Sequence, residues 1–267
     1  MYIYICIENK NGAQNFIIII TYYNKEMCYS ATTSATAFTI SVLCSIYLIY
    51  SGNKTHNNVD IFAGIVTFMI GLIQLVEFVL WKNQDCNWIN KYASMSIPVV
   101  LYLQVIVFHI ANKYLYNAKN PIYDKIFIIM NILSAIYIIC LLVWLSDQKL
   151  CSRPSANSCR LVWAPFEKLL NYKYGSYNVG WILLLLGFLF YIQFGITLNG
   201  YENLPYSQKS FSFHKYNYPI RDIWPSITLI AALVYAIVTD GKKMADTFGS
   251  MWCFLCVSYG IVSIMHI

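Results

Sequence analysis

Long apolar runs separated by polar segments organise this chain, and the runs are continuous instead of alternating. A bilayer core about 30 Å thick is crossed by about 20 mostly apolar helical residues, each rising about 1.5 Å. Seven stretches fit: residues 31–50, 61–81, 94–116, 126–145, 180–198, 223–239 and 248–267. The second, fourth and fifth are the purest, the first is rich in Ser, Thr and Ala, and the sixth is short. Unpaired backbone groups in lipid cost several kcal/mol each, which leaves only helices or a closed barrel. The ten-residue alternation of a barrel is missing. The expected fold is therefore all-α, a polytopic seven-helix transmembrane bundle forming a single domain over residues 27–267. Trp81, Trp144, Trp181, Trp224 and Trp252 fall near the span ends, where an amphipathic ring prefers the headgroup level.

Composition agrees. Hydrophobic residues make up 58% of the chain, charged residues only 11%, and the mean hydropathy is +0.53. A soluble domain carries about a quarter charged residues, so this chain lacks the charge to dress a water-facing surface. The net charge of +6 comes without a basic helix or Lys/Arg run, which removes nucleic acid as a partner and leaves membrane lipids. Richness in Ile, Asn, Lys and Tyr suggests an AT-rich genome.

Residues 1–26 stand apart, because the apolar stretch at 16–20 is too short to cross and lacks the flanks of a signal peptide. They are expected to be a disordered tail or an untranslated upstream extension, with Met27 as the start.

An odd number of spans puts the two ends on opposite sides. On the side of the N-terminus, side A, lie the loops after spans two, four and six, including the longest, 146–179. Cys86, Cys151 and Cys159 all fall there, which suggests either an oxidising lumen or exterior with a Cys151 to Cys159 disulfide, or three free thiols placed on one side by chance. Lys54, Lys113, Lys119, Lys125, Lys209, Lys215 and Arg221 favour side B as cytoplasmic against Lys82, Lys91, Lys242 and Lys243, although further Lys and Arg in the long side A loop blunt the contrast. The expected protein is thus integral to a membrane, with an exoplasmic N-terminus and a cytoplasmic C-terminus. The sequon Asn53-Lys54-Thr55 falls on side B and is expected to be unused. In the long side A loop, Pro165 can start a short helix with Phe166, Leu169 and Leu170 on one face, suited to the membrane surface. The aromatic and basic side B loop at 199–222 suits anionic headgroups.

Charge within a span costs about 2.5 to 3.5 kcal/mol on insertion scales, so each instance is a candidate for function. Glu77 is the clear case, on one helical face with Gln74 and Trp81. The bland alternative is a carboxylate that reaches the interface or pairs with a neighbour for packing. Cys28 and Ser30 at the start of span one, and Trp252 and Cys253 near the start of span seven, share that leaflet. Together Cys28, Ser30, Gln74, Glu77, Trp81, Trp252 and Cys253 form a candidate ligand site facing side A. Metal binding by Cys28, Cys253 and Glu77 lacks a supporting ligand spacing. A thiol nucleophile served by Glu77 lacks a nearby histidine, because His109 and His266 lie toward side B.

Met27-Cys28-Tyr29-Ser30-Ala31, the Gln74-x-x-Glu77 helix ending in Trp81, and Ser250-Met251-Trp252-Cys253-Phe254 resemble three segments of a family of uncharacterised multi-pass membrane proteins of bacteria and large DNA viruses. The resemblance touches spans one, two and seven and would frame residues 27–267. Phe78 stands where that family commonly has a Gly after the Glu, which departs from close helix approach there. The resemblance implies a start at Met27 and reinforces the site, but it carries no assigned reaction.

The leading expectation is a non-enzymatic membrane protein with a polar pocket near side A for a small molecule, lipid or ion. Rivals are an intramembrane lipid-modifying or metal-dependent enzyme, and a proton or ion channel or transporter with Glu77 as its titrating group. Cofactor, oligomeric state and enzymatic status are left open. The last span has no Lys for a retinal Schiff base, the span histidines lie away from Glu77, and Asn112-Lys113-Tyr114 with a proline-free last span is unlike the usual G-protein-coupled receptor. Intact-mass measurement of natively expressed protein is expected to find a chain beginning at Met27 or Cys28; a chain beginning at Met1 would reject that start.

Overall fold

A computed structural model describes residues 6–10, 13–17, 30–116, 121–155, 160–198, 220–240 and 244–265. Helix α1 (Ala31–Thr55) starts at Ser30, whose hydroxyl accepts from the Thr33 N–H, and stops at His56, where a left-handed residue (φ 54°) returns its N–H to the Gly52 carbonyl. Asn57 then caps α2 (Asn58–Lys82) by accepting from the Val59 N–H. With so short a connection the two helices return antiparallel.

Small residues set how closely they meet. The inward face of α1 carries Ser34, Ala37, Ser41, Cys44, Ser45 and Gly52. A Cβ added at Gly71 of α2 would sit 2.5 Å from the Ser41 Cβ, so the backbones approach in a way that larger side chains forbid. Hydrophobicity cannot drive association in lipid, so close backbone packing takes its place. The Ser, Thr and Ala content of the first span is thereby explained.

Helix α3 (Trp88–Tyr116) carries Pro98 in its interior, and α4 (Pro121–Ser146) follows. Polar groups join the spans: Gln104 Nε2 donates to the Met69 carbonyl at 2.9 Å, and Tyr102 OH donates to the Asn131 carbonyl at 3.1 Å. Ile128, Ile129, Ile132, Ile136, Ile139 and Val143 project outward from α4, an apolar skin that suits lipid contact.

After α4 comes a cap. Strands β3 (Arg153–Pro154) and β4 (Leu161–Val162) pair, α5 (Ala164–Leu170) follows, and β4 packs against a later helix, α8 (Met244–Cys256). A two-stranded turn, β5 (Lys173–Tyr174) with β6 (Tyr177–Asn178), leads into α6 (Gly180–Leu198). Helix α7 (Ile220–Asp240) precedes α8 and α9 (Ser258–Ile264). Trp224 Nε1 donates to Ser258 Oγ at 2.7 Å, tying α7 to α9.

The first four expected spans match helices α1 to α4 to within six residues at each end. Among the described residues, five stretches are long and apolar enough to cross a membrane: Ala31–Thr55, Asn58–Lys82, Trp88–Leu115, Asp124–Ser146 and Thr247–Ile264. Among the described residues, the fifth and sixth expected spans contribute the shorter apolar stretches Gly180–Leu189 and Ile227–Thr239. The last span is interrupted: at Val257 the chain makes a tighter turn, Val257 N–H to the Phe254 carbonyl, and α9 begins one residue later. Gly260 then packs where an added Cβ would meet Thr67 and Cys44, which seats α9 on the α1–α2 pair.

Two other expectations take a different form. Cys151 is bonded to Cys86, not to Cys159, which lies outside the described residues. The reason is a local polar clamp: Asn90 Nδ2 donates to the Asn83 and Ser152 carbonyls, and Asn90 Oδ1 accepts from the Ser152 N–H at 2.9 Å. That brings the Cα atoms of Cys86 and Cys151 to 5.0 Å. Helix α5 exists as expected, but Leu169 and Leu170 are buried and Phe166 packs on the core, so it is folded into the bundle instead of lying on a membrane surface. Within residues 1–26, β1 (Cys6–Lys10) pairs antiparallel with β2 (Ala13–Ile17). Residues 199–219, most of the aromatic side B loop, lie outside the described residues.

In unreduced protein, Cys86 and Cys151 are expected to resist a polyethylene-glycol maleimide, and a reductant should add two labels. In Cys86→Ser, Cys151 should label without reductant; labelling of both residues in untreated wild type would exclude the bond.

Candidate functional site

Glu77 and Gln74, one turn apart on α2, are both buried to within 1% of full enclosure. Such a carboxylate in an apolar bundle is tolerable only if compensated. The compensation comes from the cap and from α8. Arg160, immediately before β4 and equally buried, places Nη2 3.5 Å from Glu77 Oε2. Trp163 Nε1 donates to Glu77 Oε1 at 3.1 Å, and the Ser250 hydroxyl donates to the same oxygen. Arg160 Nη2 also donates to Ser250 Oγ at 2.7 Å and to the Ser250 carbonyl. Ser250 thus receives from the guanidinium and gives to the carboxylate. The Arg160 guanidinium lies 5.1 Å from the Phe254 ring centre, and this cation–π contact supplies a second favourable face.

Both Glu77 oxygens are engaged, and the group locks three elements: the end of α2, the cap and α8. That arrangement matches the paired-carboxylate alternative for Glu77. The Gln74 amide lies beside the carboxylate.

The other expected site residues divide. Trp81 packs against the apolar cluster of Ile73, Leu80, Ile97, Leu161, Trp163 and Cys253. Cys253 is therefore brought to the same cluster as Trp81, and Trp252 stacks on Phe248 with ring centres 6.0 Å apart. Ser30 is spent on capping α1 and makes no described bond to Glu77. Cys28 lies outside the described residues. Among the described residues no three His, Cys, Asp or Glu side chains gather as a metal-ligand set. His109 is buried and stacks on Phe127 with centroids 3.2 Å apart, a packing role, and His266 lies outside the described residues.

Next to this lock lies a cavity of about 360 Å³. Pro98 and Leu101 of α3, Ile138 and Leu141 of α4, Leu184 and Phe188 of α6, Leu233 of α7, and Trp252 and Cys253 of α8 contribute to its walls; Trp163 and Phe166 of the cap close it. Polarity is confined to such groups as Tyr102, Ser134, Tyr137 and the indole rings, and no described charged residue lines it. The Tyr137 hydroxyl is already donating to the Leu183 carbonyl at 2.9 Å, and Ser134 to Met130 at 2.7 Å. This cavity is therefore apolar, and Glu77 stands behind Trp163 without lining it. Trp181, Leu185, Phe188 and Leu233 line the cavity yet are 40–57% exposed, so the space opens sideways. Helix α6 packs on α3, α4 and α5, whereas α7 packs on α8 and α9.

No protein family, curated protein or solved structure matches the chain. The site is therefore read on its own chemistry.

Arg160 and Trp163 escape a sequence reading because they lie in a loop, where a basic residue ordinarily faces water. The available signal was the apolar run after Arg160, Leu161-Val162-Trp163-Ala164, which is unusual for a solvated loop.

Removing one member of a buried pair strands the other, at a cost of about 3–5 kcal/mol. Glu77→Ala and Arg160→Ala should each lower the thermal stability of detergent-solubilised protein sharply. Glu77→Gln with Arg160→Met should recover much of the loss, measured by size-exclusion profile after heating. Single variants as stable as wild type would remove the lock from the account.

Proposed function

We propose that this chain is an integral membrane protein of seven helices that holds a neutral hydrophobic ligand, a lipid or a lipid-like molecule, in the cavity beneath its side A cap. The observation that carries this reading is a cavity without described charged lining, whose wall includes exposed apolar side chains of α6 and α7. An ion or an anionic small molecule needs a charged or coordinating lining, whereas a hydrocarbon chain gains from apolar walls. The volume lies at the low end of the about 300–1,000 Å³ usual for ligand pockets. A lateral mouth at the depth of apolar helices favours a ligand arriving from the bilayer over one arriving from water.

Helices α6 and α7 serve as the fifth and sixth crossings in this reading, which places both termini of the 27–267 bundle on opposite sides. The Cys86–Cys151 bond supports an oxidising compartment on side A and hence an exoplasmic N-terminus. Kinship with the uncharacterised family that shares the Met-Cys-aromatic-Ser-Ala, Gln-x-x-Glu and Ser-x-Trp-Cys-Phe segments is part of the same proposal. The two rival roles gain less support. A thiol enzyme or proton pathway would want Glu77 available, and its oxygens are occupied by Arg160, Trp163 and Ser250.

Native mass spectrometry of protein purified in mild detergent from a membrane of known lipid content tests the reading. Wild type should retain a hydrophobic adduct. Leu184→Trp and Ile138→Trp, which fill the cavity from separate helices, should each reduce that adduct several-fold while leaving the size-exclusion profile unchanged. Equal adducts in wild type and both variants would defeat the proposal.

A further inference from the structure

The turn between α5 and α6 has two chemically different faces. Tyr174 and Tyr177 are directly opposite each other in the β5–β6 pair, so their side chains stand on one face, and they are 74% and 75% exposed. Lys173 and Asn178, the next pair, stand on the other. Gly175, with φ +61°, makes the tight reversal that sets this register.

The root of the turn is fixed at the rim of the bundle. The Gly180 N–H donates to the Tyr172 carbonyl at 3.2 Å and to Asn178 Oδ1 at 3.1 Å. Tyr172 meets Trp144 edge-on, with ring centres 5.4 Å apart. Trp144 lies in the last turn of α4 and the exposed Trp181 in the first turn of α6. The turn therefore sits at the depth where these helices begin and end. On another edge of the same bundle end, Trp88 and Tyr92 are also exposed, 6.4 Å apart at the start of α3.

Tyrosine and tryptophan concentrate where one end of the ring meets hydrocarbon and the other meets water. We propose that the Tyr174–Tyr177 face is a lipid-binding surface that inserts into the headgroup layer of the side A leaflet, with Lys173 and Asn178 turned to water. Its partner is the bilayer interface itself. The inference rests on the membrane reading but not on the cavity having a ligand.

Electron paramagnetic resonance of spin-labelled protein in lipid nanodiscs tests it. Tyr177→Cys and Lys173→Cys are introduced separately into a Cys140→Ser parent, and the signal of the labelled parent is subtracted. The label at 177 should be relaxed several-fold more by oxygen relative to a water-soluble nickel complex than the label at 173. Equal nickel accessibility at both positions would overturn the surface. Failure of the wild-type protein to incorporate into nanodiscs would instead overturn the membrane reading on which it stands.

Discussion

A buried carboxylate must be answered, and here the answer determines the shape of one end of the molecule. Glu77 faces inward from α2, and Arg160 and Trp163 descend from the cap to meet it, while Ser250 bridges from α8. Taking two ions out of water costs several kcal/mol each, so the pair adds little net stability over apolar residues of the same volume. It instead fixes position. Once Arg160 is committed to Glu77, β4 and α5 have few places to go, and Trp163 and Phe166 close the cavity.

The polar clamp at Asn90 performs a related task nearer the surface. Its amide satisfies backbone groups of two segments, and the Ser94 and Ser152 hydroxyls meet at 2.7 Å beside it. The Ser152 hydroxyl also accepts from the Ala164 N–H, which holds the start of α5. Without such partners the cap would bury unsatisfied backbone groups. Specific bonds hold the described parts of the cap at both its outer and inner edges, above the cavity.

The first four helices were legible from the sequence because run length and apolarity are local properties, and Glu77 stood out as a charge within one of them. The α1–α2 seam was partly legible: its Ser, Ala and Gly content was visible, but its meaning required knowing which faces meet. Arg160 was not, because its significance depends on a contact across 83 residues of chain. The wrong disulfide partner arose similarly. Placement on one side left the partner of Cys151 open to Cys159, whereas the choice of Cys86 depends on Asn90 drawing distant backbone together. The break at Val257 was invisible because the residues around it remain apolar, and apolarity reports burial without reporting backbone continuity. Glu77 and Gln74 suggested a polar site, and the charge of Glu77 is met by Arg160, a partner that local sequence does not reveal.

The bond between Cys86 and Cys151 closes a covalent ring around two complete helices, α3 and α4. If those helices cross the bilayer, the thiols are on the same side only after the chain has gone across and come back. Oxidation is then a record of insertion: a nascent protein in which α4 has failed to return cannot make the bond, whatever the redox conditions. The ring thus distinguishes a correctly threaded chain from a stalled one, a form of quality control written into the topology.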